Sequence, residues 1–343
     1  MDTRTQRLVA FKKLGEYLRN INSSDPSYQD LYEVIRKSNQ TNGWFTEENC
    51  LIALKSWGET LDEKSLYKWL KPYQLNTLET KTIGLILAGN IPLVGFHDLL
   101  SVLICGHKAI VKTSSNDPYL VPFLYRKLIE LDTIFENCVE FTSERLTDFD
   151  AVIATGSNNA ARYFAHYFAH VPHIIRKNRN GIAVLDGTES EEDLQGLAND
   201  IVQYFGLGCR SIAKVYLPRE YDLNLLFGAL YPHADMLMQN AKFANNYDYN
   251  KAVFLMSEFE LLDNGFFLLR EHDSFGSPVA CLHYSYYDCL EDLTTHLTEA
   301  SNQIQCISSN LGLNQAIPLG KAQQPDLWDY ADGVDPIAFL LKL

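Results

Sequence analysis

The 343-residue chain contains no CxxC pair, and its seven cysteines (Cys50, Cys105, Cys138, Cys209, Cys281, Cys289 and Cys306) are odd in number and widely scattered. That argues against a disulfide framework or a zinc site and makes a reducing cytoplasm the expected compartment. Positive charge is scarce: 29 Lys and Arg stand against 43 Asp and Glu, a net charge of −14. Such a surface repels phosphate backbones, so nucleic acid is not an expected partner. No apolar run of signal-peptide length follows the first seven residues. There is no GxSxG elbow, no Walker loop, no internal repeat and no low-complexity tract. What is present, 46% hydrophobic and 21% charged residues over a length of about two domains, is an ordinary globular composition.

One stretch could be mistaken for a membrane span. Between Thr82 and Gly106 the only charged residue is Asp98, but Gly84, Gly89, Asn90, Pro92 and Gly95 punctuate it. The pattern predicts a strand over 82–88, a turn, and a helix over 93–105 ended by Gly106, with no integral membrane span. Before it, residues 1–80 read as amphipathic helices, with Leu8, Phe11, Leu14, Leu18 and Ile21 at three- and four-residue spacing. After it, strands are predicted at 108–112, 139–142, 151–154, 182–185 and 212–217. Helices fall between them, starting at Asp117 and Pro118 and spanning 158–168 and 191–205. Strands alternating with helices imply parallel sheets wound on both faces, with ligands at the carboxyl ends of strands. Three segments are expected: a helical segment 1–80, an α/β segment 81–187 with a parallel sheet, and a second α/β segment 188–343.

Five segments could carry chemistry. Cys209 sits in a glycine-flanked turn, FGLGCRS (205–211), where backbone N–H groups can cradle an oxyanion and a nearby Arg210 would favour the thiolate; a buried structural cysteine is the alternative. Asn90 in LAGNIPL (87–93) is either an oxyanion donor or a helix N-cap. Lys112 ends the strand KAIVK and precedes Thr113, Ser114 and Ser115, which suits a ribose or phosphate as well as a solvated strand end. Thr155, Gly156 and Ser157 turn a strand into a small-residue helix, a weak phosphate cradle. Asp273 and Phe275 lie in DSFGSPV (273–279), otherwise a plain loop. His166, His170 and His173 have partly helical spacing, but Pro172 interrupts it and no acidic ligand lies beside them, so no metal is expected.

In this order and spacing, the five segments resemble the aldehyde dehydrogenase superfamily. The resemblance covers about residues 80–343. Within it, LAGNIPLVG, FGLGCRS and PDLWDYADGVD (325–335) resemble the acyl-CoA reductases of the LuxC type. The resemblance implies an aldehyde dehydrogenase-like fold, two doubly wound α/β domains plus the N-terminal helical segment. It makes Cys209 the nucleophile, Asn90 the oxyanion amide, and Lys112 the holder of the adenosine ribose. Thr155, Gly156 and Ser157 become the turn beneath the pyrophosphate, and Asp273 and Phe275 the contacts to the nicotinamide ribose and ring. A serine inserted before the proline, and aspartate in place of glutamate, depart from the family's last motif.

Two further departures bear on mechanism. The stretch matching the family's E-L-G-G motif is IIRKNRNG (174–181), with no carboxylate to activate water. Such a base contributes ~10²–10⁴-fold, so acyl transfer to or from a thiol is favoured over acid release. Ser115 stands where NAD-specific members place a carboxylate, which leaves room for a 2′-phosphate that Lys112 could pair with. The expected activity is therefore NADPH-dependent reduction of an acyl-CoA or acyl-carrier-protein thioester to the aldehyde through an acyl-cysteine, with NADH as the other cofactor option and a homodimer implied. The alternatives are a cysteine acyltransferase or thioesterase without redox chemistry, an aldehyde-oxidising dehydrogenase, and a non-catalytic acyl-binding partner.

Overall fold

The computed structural model describes residues 3–75 and 79–343; residues 1, 2 and 76–78, the last group beside the expected boundary at 80, lie outside the described residues. The chain packs as two compact units. The first is residues 1–177 together with 326–343, and the second is 178–325.

In the first unit, five short apolar runs form a parallel sheet. They are β1 (Thr82–Ile86), β2 (Lys108–Lys112), β3 (Val139–Thr142), β4 (Ala151–Thr155) and β5 (His173–Arg176), in the order β3-β2-β1-β4-β5. Ile83, Leu85, Val111 and Val152 are wholly buried, as a sheet covered on both faces requires. The order reverses between β1 and β4, which marks a switch point at their carboxyl ends. The N-terminal helices, Thr3–Arg19, Gln29–Thr41, Glu47–Thr60 and Glu63–Leu70, belong to this same unit. Their boundaries have local causes. Thr46 accepts from the Asn49 N–H, and Asp62 from those of Lys64 and Ser65. Phe11, Leu14 and Leu18, three of the spaced apolar residues of the first helix, are fully buried.

The second unit is built on six strands: β6 (Asn180–Val184), β7 (Ile212–Pro218), β8 (Leu262–Asp263), β9 (Leu268–Glu271), β10 (Cys281–Tyr287) and β11 (Ile304–Ser308). Their order is β11-β6-β7-β10-β9-β8, parallel throughout except for the β8–β9 hairpin. Ile182, Val184 and Tyr216 on the sheet pack with Leu293 and Leu297 of helix Leu290–Glu299. The expected α/β class with parallel sheets is what the chain forms. No helix among the described residues is long and apolar enough to cross a membrane.

The units do not follow the expected boundaries. The helical 1–80 segment shares a unit with the first sheet, and the chain passes to the second unit after Lys177 rather than near residue 187. Asp186, Gly187 and Thr188 are only the loop after β6, tied by Glu189, whose carboxylate accepts from the Asp186 and Gly187 N–H groups. Residues 326–343 return to the first unit. There His97 meets the Leu327 carbonyl (2.9 Å), Lys68 sits over the Trp328 ring (3.5 Å), and Tyr73 bonds Tyr330 and Asp335.

Candidate active site

On the first unit the carboxyl ends of three neighbouring strands carry the expected groups. β1 runs into the loop bearing Asn90, which is exposed. The loop is held from two sides: the Gly89 carbonyl accepts from the buried Asn42 amide (3.4 Å), and the Leu93 N–H donates to Asp117 (3.1 Å). Leu93 and Gly95 both have left-handed φ, +65° and +83°, so the turn continues to Gly95 and the helix begins at Phe96 rather than at residue 93. Asn90 is therefore a loop residue and not the cap of that helix. The helix expected to start at Asp117 and Pro118 begins at Leu120, with Tyr119 rather than Asp117 at its N-cap position. One Asp117 oxygen accepts from the Leu120 N–H (3.4 Å), the other holds the Asn90 loop, and burial pushes its carboxyl up to about 6. No sequence signal pointed to Asn42 or to this second role of Asp117.

β2 ends in Lys112, half-buried, with Nζ donating to the Glu144 carbonyl (3.1 Å); Ser115, three residues on, is exposed. β4 ends in Thr155, in register with Arg176 of β5, and turns through Gly156 and Ser157 into helix Asn158–Tyr167. Ser157 caps that helix by accepting from the Ala160 N–H (3.3 Å). A Cβ on Gly156 would come within 2.9 Å of the Ala160 Cβ and 3.0 Å of the Phe164 ring, so glycine is required for the helix to start this close to the strand. A helix N-terminus at the carboxyl end of β4, with a lysine and hydroxyl side chains at the end of β2 on the other side of β1, fits a dinucleotide phosphate.

The second unit carries the thiol. Helix Glu191–Val202 gives way to a tight turn in which Tyr204, Phe205 and Gly206 all take left-handed φ (+53°, +57° and +73°). This stops the helix short of the expected residue 205 and leads into the turn bearing Cys209. That turn is closed by the Gly208 N–H donating to the Ser211 Oγ (3.2 Å) and the Ser211 N–H donating to the Gly208 carbonyl (3.0 Å). Of the seven cysteines, all in the described residues, Cys209 alone is exposed. Burial pushes the Cys50, Cys105 and Cys281 thiols up to about 12, which keeps them protonated. The structure thus removes the alternative of a buried structural cysteine at 209.

Arg210 has a structural use. Its Nε donates to the Ala322 carbonyl (2.5 Å), fastening residues 319–323 onto this turn. The same segment is tied by Gly320 and Ala322 N–H groups to the buried Asp200 carboxylate (2.8 and 3.1 Å) and by Gln323 to the Ser211 Oγ (3.2 Å).

Asp273 is exposed, but Phe275 is a core side chain, 8% exposed and stacked on His296. Its ring is thus mostly committed to packing, where the sequence motif put it against a nicotinamide. The 273–276 loop and the Cys209 turn meet the same element, the start of β6. A Cβ on Gly276 would lie 2.9 Å from the Asn180 side-chain oxygen, and one on Gly181 would lie 2.7 Å from the Arg210 carbonyl. In the stretch matching E-L-G-G, Ile174 and Arg176 are buried on β5, and the Arg176 guanidinium is paired with Asp98.

The acyl-CoA reductase family (LuxC) matches residues 62–225. A long-chain acyl-protein thioester reductase of Aliivibrio fischeri is 27% identical over 197 residues, which covers 53% of this chain and 41% of that protein. One of Photorhabdus laumondii is 23% identical over 256 residues, 65% of this chain and 52% of that protein. The matches therefore span about half the length of these relatives or less. Among solved structures, an NAD-dependent aldehyde dehydrogenase from Sinorhizobium meliloti superposes with a TM-score of 0.65 at 12% identity, covering 94% of this chain and 72% of that one. Aldehyde dehydrogenase 21 from Physcomitrella patens, solved with the reaction product succinate, gives 0.64 at 13% identity over 91% and 74%. The fold is aldehyde dehydrogenase-like.

Proposed function

From a chain similar to the LuxC-type acyl-CoA reductases and folded like the aldehyde dehydrogenases, we propose a reductase that converts an acyl thioester to the aldehyde through an acyl-cysteine at Cys209. The observation that carries this reading is the exposed Cys209 on its glycine turn, in a chain with no carboxylate in the 174–181 stretch to activate water. The Cys209 thiolate attacks the thioester carbonyl, and the carrier thiol leaves. In this reading the Asn90 amide and a backbone N–H of the Cys209 turn stabilise the tetrahedral oxyanion. With no general base in the 174–181 stretch, the acyl-enzyme survives water long enough to be reduced. A bound reduced nicotinamide dinucleotide would supply the hydride, after which the bond between the acyl carbon and Cys209 Sγ breaks, releasing the aldehyde and returning the thiolate. Lys112, Ser115 and the Thr155-Gly156-Ser157 turn hold its phosphates and adenosine ribose, and Asp273 is assigned to its other ribose. Ser115 supports NADPH over NADH, because no carboxylate stands there to repel a 2′-phosphate. The long-chain acyl-protein substrates in the relatives' names make a long-chain acyl group on a carrier the first substrate to try, with acyl-CoA beside it. The reading places a homodimer in the cytoplasm, where seven unbridged thiols stay reduced.

The test is NADPH oxidation followed at 340 nm with acyl-CoA and acyl-carrier thioesters of graded length, run beside Cys209→Ala and an NADH control. Aldehyde formation that disappears in the variant is expected. Acylation of Cys209 without oxidation of either NADPH or NADH would sink the reductase in favour of a thiol acyltransferase.

A further inference from the structure

Lys214 on β7 is 1% exposed, and burying a lysine is costly unless its ammonium is put to use. Its Nζ donates to the His272 carbonyl (2.6 Å) and to the Ser285 Oγ (2.8 Å), and Ser285 in turn donates to the same carbonyl (3.3 Å). His272 is the first residue of the loop that continues through Asp273 and Phe275. On the reductase reading above, we propose that Lys214 is a positioning residue, holding the 272–276 loop so that Asp273 is set for the nicotinamide dinucleotide.

The loop is gripped twice from the sheet. Lys214 takes the carbonyl of residue 272, and His283 on β10 takes that of residue 274 through Nδ1 (3.2 Å). Ser274 O only accepts, so His283 carries its proton on Nδ1. Burial pushes His283 down to about 4, so it is neutral near pH 7, and its buried Nε2 has no protein partner. Within the loop, the Ser274 N–H donates to His272 Nδ1 (3.0 Å) and its hydroxyl to the Gly276 carbonyl (3.1 Å). Without the Lys214, Ser285 and His283 donors, the loop would keep only these internal bonds and the packing of Phe275.

The groups facing Lys214 explain why a charge is kept there. Its register partner on β10 is His283, whose own partner on β9 is Arg270, so three basic residues stand in a row across the sheet. From β6 it faces only Ile182, and on its own strand the Tyr216 ring lies 4.9 Å from Nζ. The negative groups acting on it are Asp273 of the loop and Glu271 at the end of β9. The Lys214 charge therefore acts on Asp273, the loop's own acid. Burial pushes Lys214 down to about 8, so the hold should weaken as the pH rises through that value.

The test compares wild type with Lys214→Met, Lys214→Arg and Ser285→Ala in the full chain. Hydrogen exchange of the 273–277 amides, measured without ligand from about pH 7 to about pH 9.5 and corrected for intrinsic rates, should show wild-type protection falling about ten-fold across pH 8. Lys214→Arg should keep its protection across the same range, and Lys214→Met should lack it throughout. In turnover, Lys214→Met should raise the NADPH KM about ten-fold while Cys209 acylation by acyl-CoA stays within about two-fold of wild type. If Lys214→Met does not fold, Ser285→Ala, with an intermediate loss of protection, and Lys214→Arg decide the question. Flat exchange in wild type, or acylation slowed as much as turnover, would overturn the proposal and leave the reductase reading standing. The expected exchange pattern with no oxidation of NADPH or NADH in wild type would instead overturn the reductase reading.

Discussion

Asp98 and Arg176 form a buried ion pair that links the helix after the Asn90 loop to the strand beside the Gly156 turn. Asp98 lies in the first turn of helix Phe96–Cys105, Arg176 ends β5, and their side chains are 3% and 7% exposed. The Arg176 carbonyl also accepts the Gly156 N–H (3.3 Å), so one residue serves both neighbours of the strand-end site. One oxygen of Asp98 and the Nε of Arg176 have no other protein partner, so neither charge has a substitute if the pair is broken.

Arg176→Met or Asp98→Asn should each cost about 3–5 kcal/mol, because a buried group is left uncompensated. The double change Asp98→Leu with Arg176→Met should recover most of that loss. Urea denaturation of the three variants checks it; additive losses in the double variant would show that the two side chains do not act as a pair.

Cys209→Ala should abolish turnover and thioester labelling while changing stability by no more than about 0.5 kcal/mol, since the side chain is exposed. Intact-protein mass spectrometry after incubation with an acyl thioester reads the labelling. An acyl adduct that persists in the variant would move the nucleophile to another cysteine.

Ser115→Asp should raise the NADPH KM about ten-fold or more, through repulsion of the 2′-phosphate, and leave the NADH KM nearly unchanged. Steady-state kinetics with both cofactors decides this. Equal effects on the two would place the adenosine ribose away from Ser115.

Asp200 ionises at about 6 in the folded chain, raised by burial, against ~3.9 when unfolded. The folded state therefore holds this proton more tightly, and its contribution to stability is complete below about pH 4 and lost as pH rises through 6. Relative to Asp200→Asn, the wild type should gain stability on going from pH 7 to pH 5. The comparison cancels the histidines and the other raised carboxylates. Thermal melts at the two pH values test it, and parallel changes in both proteins would contradict it. Because Asp200 ties residues 319–323 by two backbone N–H groups, the variant should also loosen the segment that braces the Cys209 turn.

Local chemistry made much of the fold legible. β2 and β3 have the bounds their apolar runs and flanking turns imply, and Gly106 ends its helix in the left-handed conformation that glycine favours. The misreadings fall where distant contacts decide. Periodicity carried one helix back to residue 93, whereas Asp117, 24 residues on, holds Leu93 in a turn. It carried another to Phe205, although two successive aromatic residues take left-handed φ there, for which their side chains give no local warning. Cys209 and the strand-end residues were legible because glycines and strand ends announce them. That Arg210 faces the Ala322 carbonyl, or that Phe275 belongs to the core, depends on which segments return to meet them.

The return of residues 326–343 sets an order of assembly on the ribosome. The second unit is continuous, 178–325, so every residue it needs has been synthesised before residues 326–343 emerge. The first unit begins earlier and finishes later: His97, Lys68 and Tyr73 must wait, partly exposed, for Leu327, Trp328 and Tyr330. In a growing chain the domain that starts second is thus the first that can close. Until residues 326–343 emerge, the aromatic surface around His97 lacks the contacts that Leu327, Trp328 and Tyr330 supply.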